Sequence, residues 1–327
     1  MIISRTPLRV SYVGGGSDFG DYYRIKRGRV ISTTIDKYIY VTIAKKFDGK
    51  LHLRYSEFEC VDDVNQLKHI FVREALKLTG ITKGVEIVTI SDVPTTGCGL
   101  GSSSSLMVGL LNAFNAYQGH RMSQKYLANQ ACNLEIESLG FPIGKQDQYA
   151  ASFGNLNLIT FKTNGEVDVN RLFATAKKEK IKWLQDSSML FYLGGGRLSS
   201  KILVKHKNRI RNKESVLDKQ VALVERFYEW LHTDNMPNYI VGDLVNLSWK
   251  YKMEITPEAT NDRINEIMDV VMQSGAYGAK VCGAGSSGFV LIICEKEKQE
   301  SLRKSLSFLS ELEFVFENKG AEIIYAD

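Results

Sequence analysis

The sequence predicts an α+β protein of two domains. Strand-like and helix-like patterns alternate as far as residue 161, the pattern changes after a polar stretch at 162–182, and a strand, glycine turn and strand lie near the far end. A chain of 327 residues is long enough for each domain to bury its own core. The border is expected near residues 165–188.

Taken in order, RVISTTIDKYIYVTIAKKF, from Arg29, is rich in β-branched and aromatic residues and reads as strand, turn, strand. GVEIVTISDVP reads as a strand stopped at Pro94, which lacks an amide hydrogen and has a fixed φ. Ser103–Tyr117 and Ser123–Ser138 read as helices, a further helix follows Gly144, and Asn155–Phe161 is a returning strand. MLFYLGGG, from Met189, is a strand ending in glycines. Long charged helical patterns then occupy Ser199–Tyr228 and Asn261–Gln273. The second places Ile264, Ile267, Met268 and Val271 on one face, with Gly275 positioned to end it. AKVCGAGSSGFVLIIC supplies strand, glycine turn, strand. No 20–50-residue period repeats, which excludes a solenoid.

Composition narrows the class. With 44% hydrophobic and 24% charged residues the chain is an ordinary globular protein. Its longest strongly apolar run, Phe289–Cys294, is far too short to span a bilayer, and MIISRTPLRV does not read as a secretory signal. Five cysteines without CxxC spacing predict a reducing, cytoplasmic setting. The five histidines show no HxxxH or HExxH pairing, against transition-metal chemistry. A net charge of +5 admits an anionic partner without choosing one. The densest basic run, Lys201–Lys213, reads as a solvated helix face. It has no interleaved aromatic platform, so neither nucleic acid nor membrane is an expected partner.

PTTGCGLGSSSS, Pro94–Ser105, is the most unusual stretch. A serine at a helix start is a good N-cap, which accounts for one serine and not four. The free N–H groups and partial positive charge of a helix N-terminus suit a phosphate, glycines let the backbone approach it, and hydroxyls can bind its oxygens or Mg²⁺. No Gly-Lys-Ser/Thr follows, so this is not a Walker A loop. Two other glycine sets exist, VGGGSD at Val13–Asp18 and GAGSSG at Gly283–Gly288. The latter matches G-x-G-x-x-G, but a β-rich run follows it instead of a helix, so the dinucleotide-binding reading fails.

Two acids stand out. Glu135 shares the apolar face of Leu127, Ala131 and Leu134, whereas Glu137 points about 200° away. An acid on a buried face needs a partner, either a structural ion pair or a metal. Asp147, in the first turn of the helix after Gly144, gains from the helix dipole. It also sits among Lys145, Gln146 and Gln148, a dense hydrogen-bonding cluster suited to a polyhydroxylated ligand.

These motifs together resemble the GHMP small-molecule kinases over nearly the whole chain. TPLRVSYVGGGSD is similar to their first motif, GLGSSSS to their phosphate loop, and CGAGSSGFVLI to their C-terminal glycine motif, with Ser286-Ser287 where glycines are usual. The resemblance implies an N-terminal mixed α/β ATP-binding domain over 1–175 and a C-terminal ferredoxin-like α/β domain over 176–327. It implies that Gly97, Gly99, Leu100, Gly101, Ser102, Ser103 and Ser104 wrap ATP phosphates, and that Ser103 and Glu135 hold Mg²⁺. Asp147 would stand beside the acceptor hydroxyl, accompanied by Arg9. Gly15, Gly16, Ser17, Asp18, Lys145, Gln146, Gln148, Gly283, Ala284 and Gly285 would serve the substrate. Within the family, EIESLGFPIGKQDQYAASFG is most similar to kinases that phosphorylate C1 of D-glycero-D-manno-heptose 7-phosphate for nucleotide-activated heptose. That likeness offers Arg197, in GGGRLSS, for the 7-phosphate. A related anomeric kinase of the fucose or galactose type, and a non-catalytic sugar and ATP sensor, are the alternatives. A monomer or homodimer is expected.

Overall fold

The computed structural model describes residues 1–94, 97–195 and 199–327, with the backbone alone at 199–200. The chain opens with β1 (Ile2–Val13), in which residues 6–10 are all buried because both faces are covered. After the one-turn α1 (Gly20–Tyr23) comes β2 (Gly28–Lys45), a single strand of 18 residues where strand, turn, strand was expected. The polar pair Asp36-Lys37 does not reverse the chain. Pairing shifts from Pro7 opposite Tyr38 to Leu8 opposite Ile35, so the pair bulges out of β2. Asp36 is tied to Val315 by both a backbone bond (3.0 Å) and a side-chain bond (2.9 Å), so the C-terminal segment pins the bulge.

β3 (Leu51–Arg54), β4 (Phe58–Val61), α2 (Ile70–Thr79) and β5 (Val85–Ser91) follow. Then come α3 (Ser102–Tyr117), α4 (Gln124–Cys132), α5 (Gln146–Phe153), β6 (Leu156–Phe161) and β7 (Val167–Arg171). Ser123 caps α4 as its position predicts, accepting from the Tyr126 amide at 3.2 Å. The expected single helix to Ser138 instead widens into a π-helix over Asn133–Ser138.

The second half holds α6 (Lys178–Ser187), β8 (Ser188–Gly194), α7 (Ser199–Ile210), α8 (Glu214–His232) and α9 (Ile240–Ile255). It continues through α10 (Asp262–Gln273), β9 (Gly278–Val281), β10 (Gly288–Ile293), α11 (Lys296–Ser305), β11 (Ser310–Glu311), β12 (Phe316–Glu317) and β13 (Glu322–Ala326). The helical stretch expected at Ser199–Tyr228 is thus two helices, separated by a turn in which Lys213 donates to Ile210.

Two sheets organise the molecule. The larger runs β13-β1-β2-β5-β3-β4, with β6 and β12 also pairing with the long β2 and β7 pairing with β6. The smaller is antiparallel in the order β11-β8-β10-β9, a strand–helix–strand–strand–helix–strand pattern of ferredoxin type. The last two strands therefore join the first sheet and not the second. One core cluster takes in the large sheet, Val224, Phe227 and Trp230 of α8, Leu244 and Val245 of α9, and Leu190, Phe289 and Leu291 of the small sheet. A second packs Ile264, Ile267 and Val271 of α10 on the other side of the small sheet.

Candidate active site

Between the two sheets lies a cavity of about 420 Å³. The β1–α1 turn, the loop leading into α3, the start of α5, helices α7 to α9 and the β9–β10 turn enclose it. Arg9, Gly15, Gly16, Asp18, Gly97, Gly99, Gly101, Ser102, Ser103, Ser104, Gln146, Asp147, Gly283, Ala284 and Gly285 all line it. Motifs far apart in sequence thus meet at one surface.

The loop and the third motif interlock. Gly99 has φ +80°, and a Cβ there would stand 2.7 Å from the carbonyl oxygen of Cys282. Only glycine allows both the conformation and the approach. Helix α3 is preceded by Gly101 at the N-cap position, which has no side chain with which to cap the first turn. The four serines divide the work. The Ser102 hydroxyl accepts from the Cys98 thiol at 3.4 Å, Ser104 donates to Glu135 at 3.1 Å, and Ser105 donates to the Pro7 carbonyl at 2.9 Å. Ser103 is exposed at the cavity.

Beside the loop, Arg9 grips Asp147 with two parallel bonds, Nε to Oδ1 at 2.7 Å and Nη2 to Oδ2 at 2.6 Å. Its remaining Nη1 donates to the Gly99 carbonyl at 2.6 Å, so one guanidinium links the acid to the loop. Burial alone would lower the Arg9 pKa, but the charge of Asp147 more than reverses this. Asp18 is buried and accepts from the amides of Gly16 (3.0 Å) and Gln146 (3.2 Å). Burial first, and then the charge of Asp147, raises its pKa to about 6.

Several expected residues stand behind the wall. The Leu100 side chain is wholly buried in the core, and only its carbonyl, accepting from the Arg9 amide at 3.0 Å, serves the site. Ser17 ties the turn to β2, its hydroxyl 2.8 Å from the Gly14 carbonyl and accepting from the Arg29 amide at 3.0 Å. Lys145 turns to the Gly165 carbonyl (3.2 Å) and the Tyr23 ring, and lines a separate neighbouring cavity. Gln148 is buried and donates to Glu135 at 2.7 Å. Arg197 lies outside the described residues.

Glu135 is fully buried, as its place on the apolar face predicts, while Glu137 is exposed. Glu135 accepts from the Ser104 hydroxyl at 3.1 Å. Its partners are a hydroxyl and an amide, and no basic side chain among the described residues bears on it, so burial pushes its pKa up to about 8. A buried carboxylate lacking a counter-charge, close behind an exposed loop serine, fits a divalent cation. Among the described residues no group of three or more His, Cys, Asp or Glu side chains could hold a metal by itself. That suits Mg²⁺, which takes one or two protein ligands and completes its shell with phosphates and water.

The sequence reading missed the basic wall contributed by the second half. Lys252 of α9 and Lys280 of β9 line the cavity together with His206 of α7. Burial, then the neighbouring Lys280 and Arg9, lowers Lys252 to about 7, and burial lowers Lys280 to about 8. Burial takes His206 down to about 3, so the ring is neutral, with Nδ1 2.7 Å from the Thr256 hydroxyl. Its stripe mates Ile202 and Ile210 are also buried, whereas Lys205 and Arg209, from the same basic run, pair with Glu258 on the surface.

A glycine-rich loop at a helix N-terminus, beside a clamped carboxylate on the wall of a small-molecule cavity, is the arrangement of a small-molecule kinase. The GHMP kinases N terminal domain model matches residues 65–155 and the GHMP kinases C terminal model matches residues 239–310. The D-glycero-alpha-D-manno-heptose 7-phosphate kinase of Campylobacter jejuni is 30% identical over 93% of both chains. This chain belongs to the GHMP kinase family and is a phosphotransferase acting on a sugar hydroxyl. The galactokinase of Pyrococcus furiosus is 27% identical over 92% of this chain and 91% of its own. In fold, the chain matches a D-glycero-D-manno-heptose 1-phosphate kinase from Bacteroides thetaiotaomicron (TM-score 0.73, 24% identity, all of both chains). It also matches the Streptococcus pneumoniae phosphomevalonate kinase (TM-score 0.78, 14% identity, 97% of this chain and 100% of the other). Among the described residues no helix is long and apolar enough to cross a membrane.

Proposed function

We propose that the protein transfers the γ-phosphoryl group of ATP to the C1 hydroxyl of D-glycero-D-manno-heptose 7-phosphate, giving the 1,7-bisphosphate for nucleotide-activated heptose. The observation that carries this reading is the Arg9–Asp147 fork, set beside the phosphate loop in a cavity that also presents unpartnered acceptors. Ser11 Oγ, Gln146 Oε1 and Gln220 Oε1 are buried, border the cavity and have no hydrogen-bond partner among the described residues. A polyhydroxylated ligand supplies the donors that such atoms lack. The 30% identity to the Campylobacter jejuni heptose kinase supports the choice of sugar.

Catalysis of phosphoryl transfer is largely positioning and charge neutralisation. The amides at the start of α3 and the exposed Ser103 hydroxyl receive the triphosphate. Arg9 fixes the plane of the Asp147 carboxylate, which retains lone pairs to accept the hydroxyl proton and aim its oxygen at the γ-phosphorus. Asp18, held by the amides of Gly16 and Gln146, orients the sugar through its hydroxyls. Ser103 and Glu135 would hold Mg²⁺, which would neutralise charge on the transferred group.

ADP release with Mg²⁺-ATP tests the acceptor. D-glycero-D-manno-heptose 7-phosphate should turn over, and free heptose, mannose, fucose and galactose should not. Turnover of free galactose or fucose would favour the second reading, an anomeric kinase of the kind to which the Pyrococcus furiosus relative belongs.

A further inference from the structure

We propose that Lys252 and Lys280, on the cavity wall built by α9 and β9, form a receptor for the phosphomonoester that the acceptor sugar already carries. This inference rests on the sugar-kinase reading above and names what would select a phosphorylated acceptor over a free one.

Lys280 is 6% exposed, and its ammonium donates to the Tyr12 carbonyl at 2.9 Å and lies 3.4 Å from the Ser248 hydroxyl. Lys252 donates to the Gly283 carbonyl. An ammonium has three donors, so among the described residues Lys280 keeps one unused and Lys252 two. Buried cations are almost always paired with an anion. Lys252 is half-buried; the positive charges that bear on it are those of Lys280 and Arg9, and Lys280 feels that of Arg9, which Asp147 already neutralises. Among the described residues no carboxylate faces either one. Burial first, and then neighbouring positive charge, opposes the protonation of both, and a bound dianion counters these effects.

A second observation points to a polar ligand at the same wall. Gln220 is 1% exposed and borders the cavity. Its amide nitrogen is fixed on the Ser248 carbonyl at 2.8 Å, and its buried Oε1 has no partner among the described residues. A hydroxyl of the sugar that bears the phosphate would satisfy it.

The location favours the acceptor over the nucleotide. Lys280 is anchored on Tyr12, at the end of β1 just before the turn that carries Gly15, Gly16 and Asp18. The nucleotide's phosphates have their own donors at the start of α3. Both sources offer the same chemistry, a phosphate dianion, so the test must separate them.

Three ligands would be titrated calorimetrically into wild type, Lys252→Met and Lys280→Met: D-glycero-D-manno-heptose 7-phosphate, inorganic phosphate and ATP. Methionine keeps the length of the stem and removes the charge, and thermal melting checks that each variant is folded. Each variant is expected to lose on the order of 30-fold or more in affinity for the heptose phosphate and for inorganic phosphate, with ATP affinity within about threefold. Unchanged heptose phosphate binding, or a loss confined to ATP, overturns the proposal. So does loss of heptose phosphate binding in Arg197→Ala alone. If wild type turns over the heptose phosphate while the lysine variants bind it normally, the receptor is refuted and the kinase reading stands. If wild type neither binds nor phosphorylates that sugar, yet inorganic phosphate binding depends on the lysines, the anion receptor stands and the choice of acceptor falls.

Discussion

His206 shows how a residue's surroundings override its type. In sequence it belongs to the most basic run of the chain; in the fold it is a buried neutral ring near Lys252 and Arg209. Its pKa of about 3 lies below the ordinary 6.5, so between those values the unfolded chain binds a proton that the folded one does not. This contribution is intact above pH 6.5 and is lost as pH falls toward 3, at no more than about 1.4 kcal/mol per pH unit. Denaturant unfolding of wild type and His206→Gln at pH 7.5 and 5 should therefore give a smaller pH-dependent loss in the variant. Equal losses would remove His206 as a source of acid sensitivity. Ser286 presents a second local conflict, a non-glycine residue at φ +62° whose buried hydroxyl has no partner among the described residues. Family glycine motifs usually place glycine there. Ser286→Gly is expected to raise the unfolding free energy by about 1 kcal/mol, and no change or a loss would show that the conformation carries little strain.

At the scale of elements, the entry into α3 is the most demanding. The left-handed Gly99 lies against the Cys282 carbonyl while the Gly99 carbonyl receives Arg9, so loop, third motif and the Arg9–Asp147 pair share one residue. Gly99→Ala would add a Cβ where neither the conformation nor the space admits one. Relief of about 1–3 kcal/mol of strain by movement of the loop should weaken ATP by roughly tenfold or more in a direct titration. Wild-type affinity would mean that the loop adapts without disturbing the site. Much of this was legible beforehand, because glycine spacing and the serine run report on local conformation. The β2 bulge was not, since Asp36-Lys37 looks like a turn until Val315 is seen to hold it. Nor was α9 assigned, although Val241, Leu244, Val245 and Trp249 follow a helical stripe and are buried.

For the molecule as a whole, the cavity exists because two halves of the chain share a core. The first contributes the loop, Arg9, Asp18 and Asp147, all visible as motifs. The second contributes Lys252, Lys280, His206 and Gln220, which sit on three helices and a strand and meet only through tertiary packing. Scattered singly, they look like solvated charges or routine polar residues, so no local pattern could have joined them. In the same way Ser17, Lys145 and Gln148 lie within expected motifs yet face away from the cavity, because spacing identifies a segment and not the direction of each side chain.

The central claim is that Asp147, held by Arg9, aligns the acceptor hydroxyl for attack on the γ-phosphorus. Single-turnover phosphoryl transfer, with ATP and the sugar phosphate both bound at saturation, tests it most directly. Asp147→Ala should slow that step by about 10²–10⁴ while both ligands still bind. A rate near that of the wild type would contradict the claim and return Asp147 to the role of a helix-start acid.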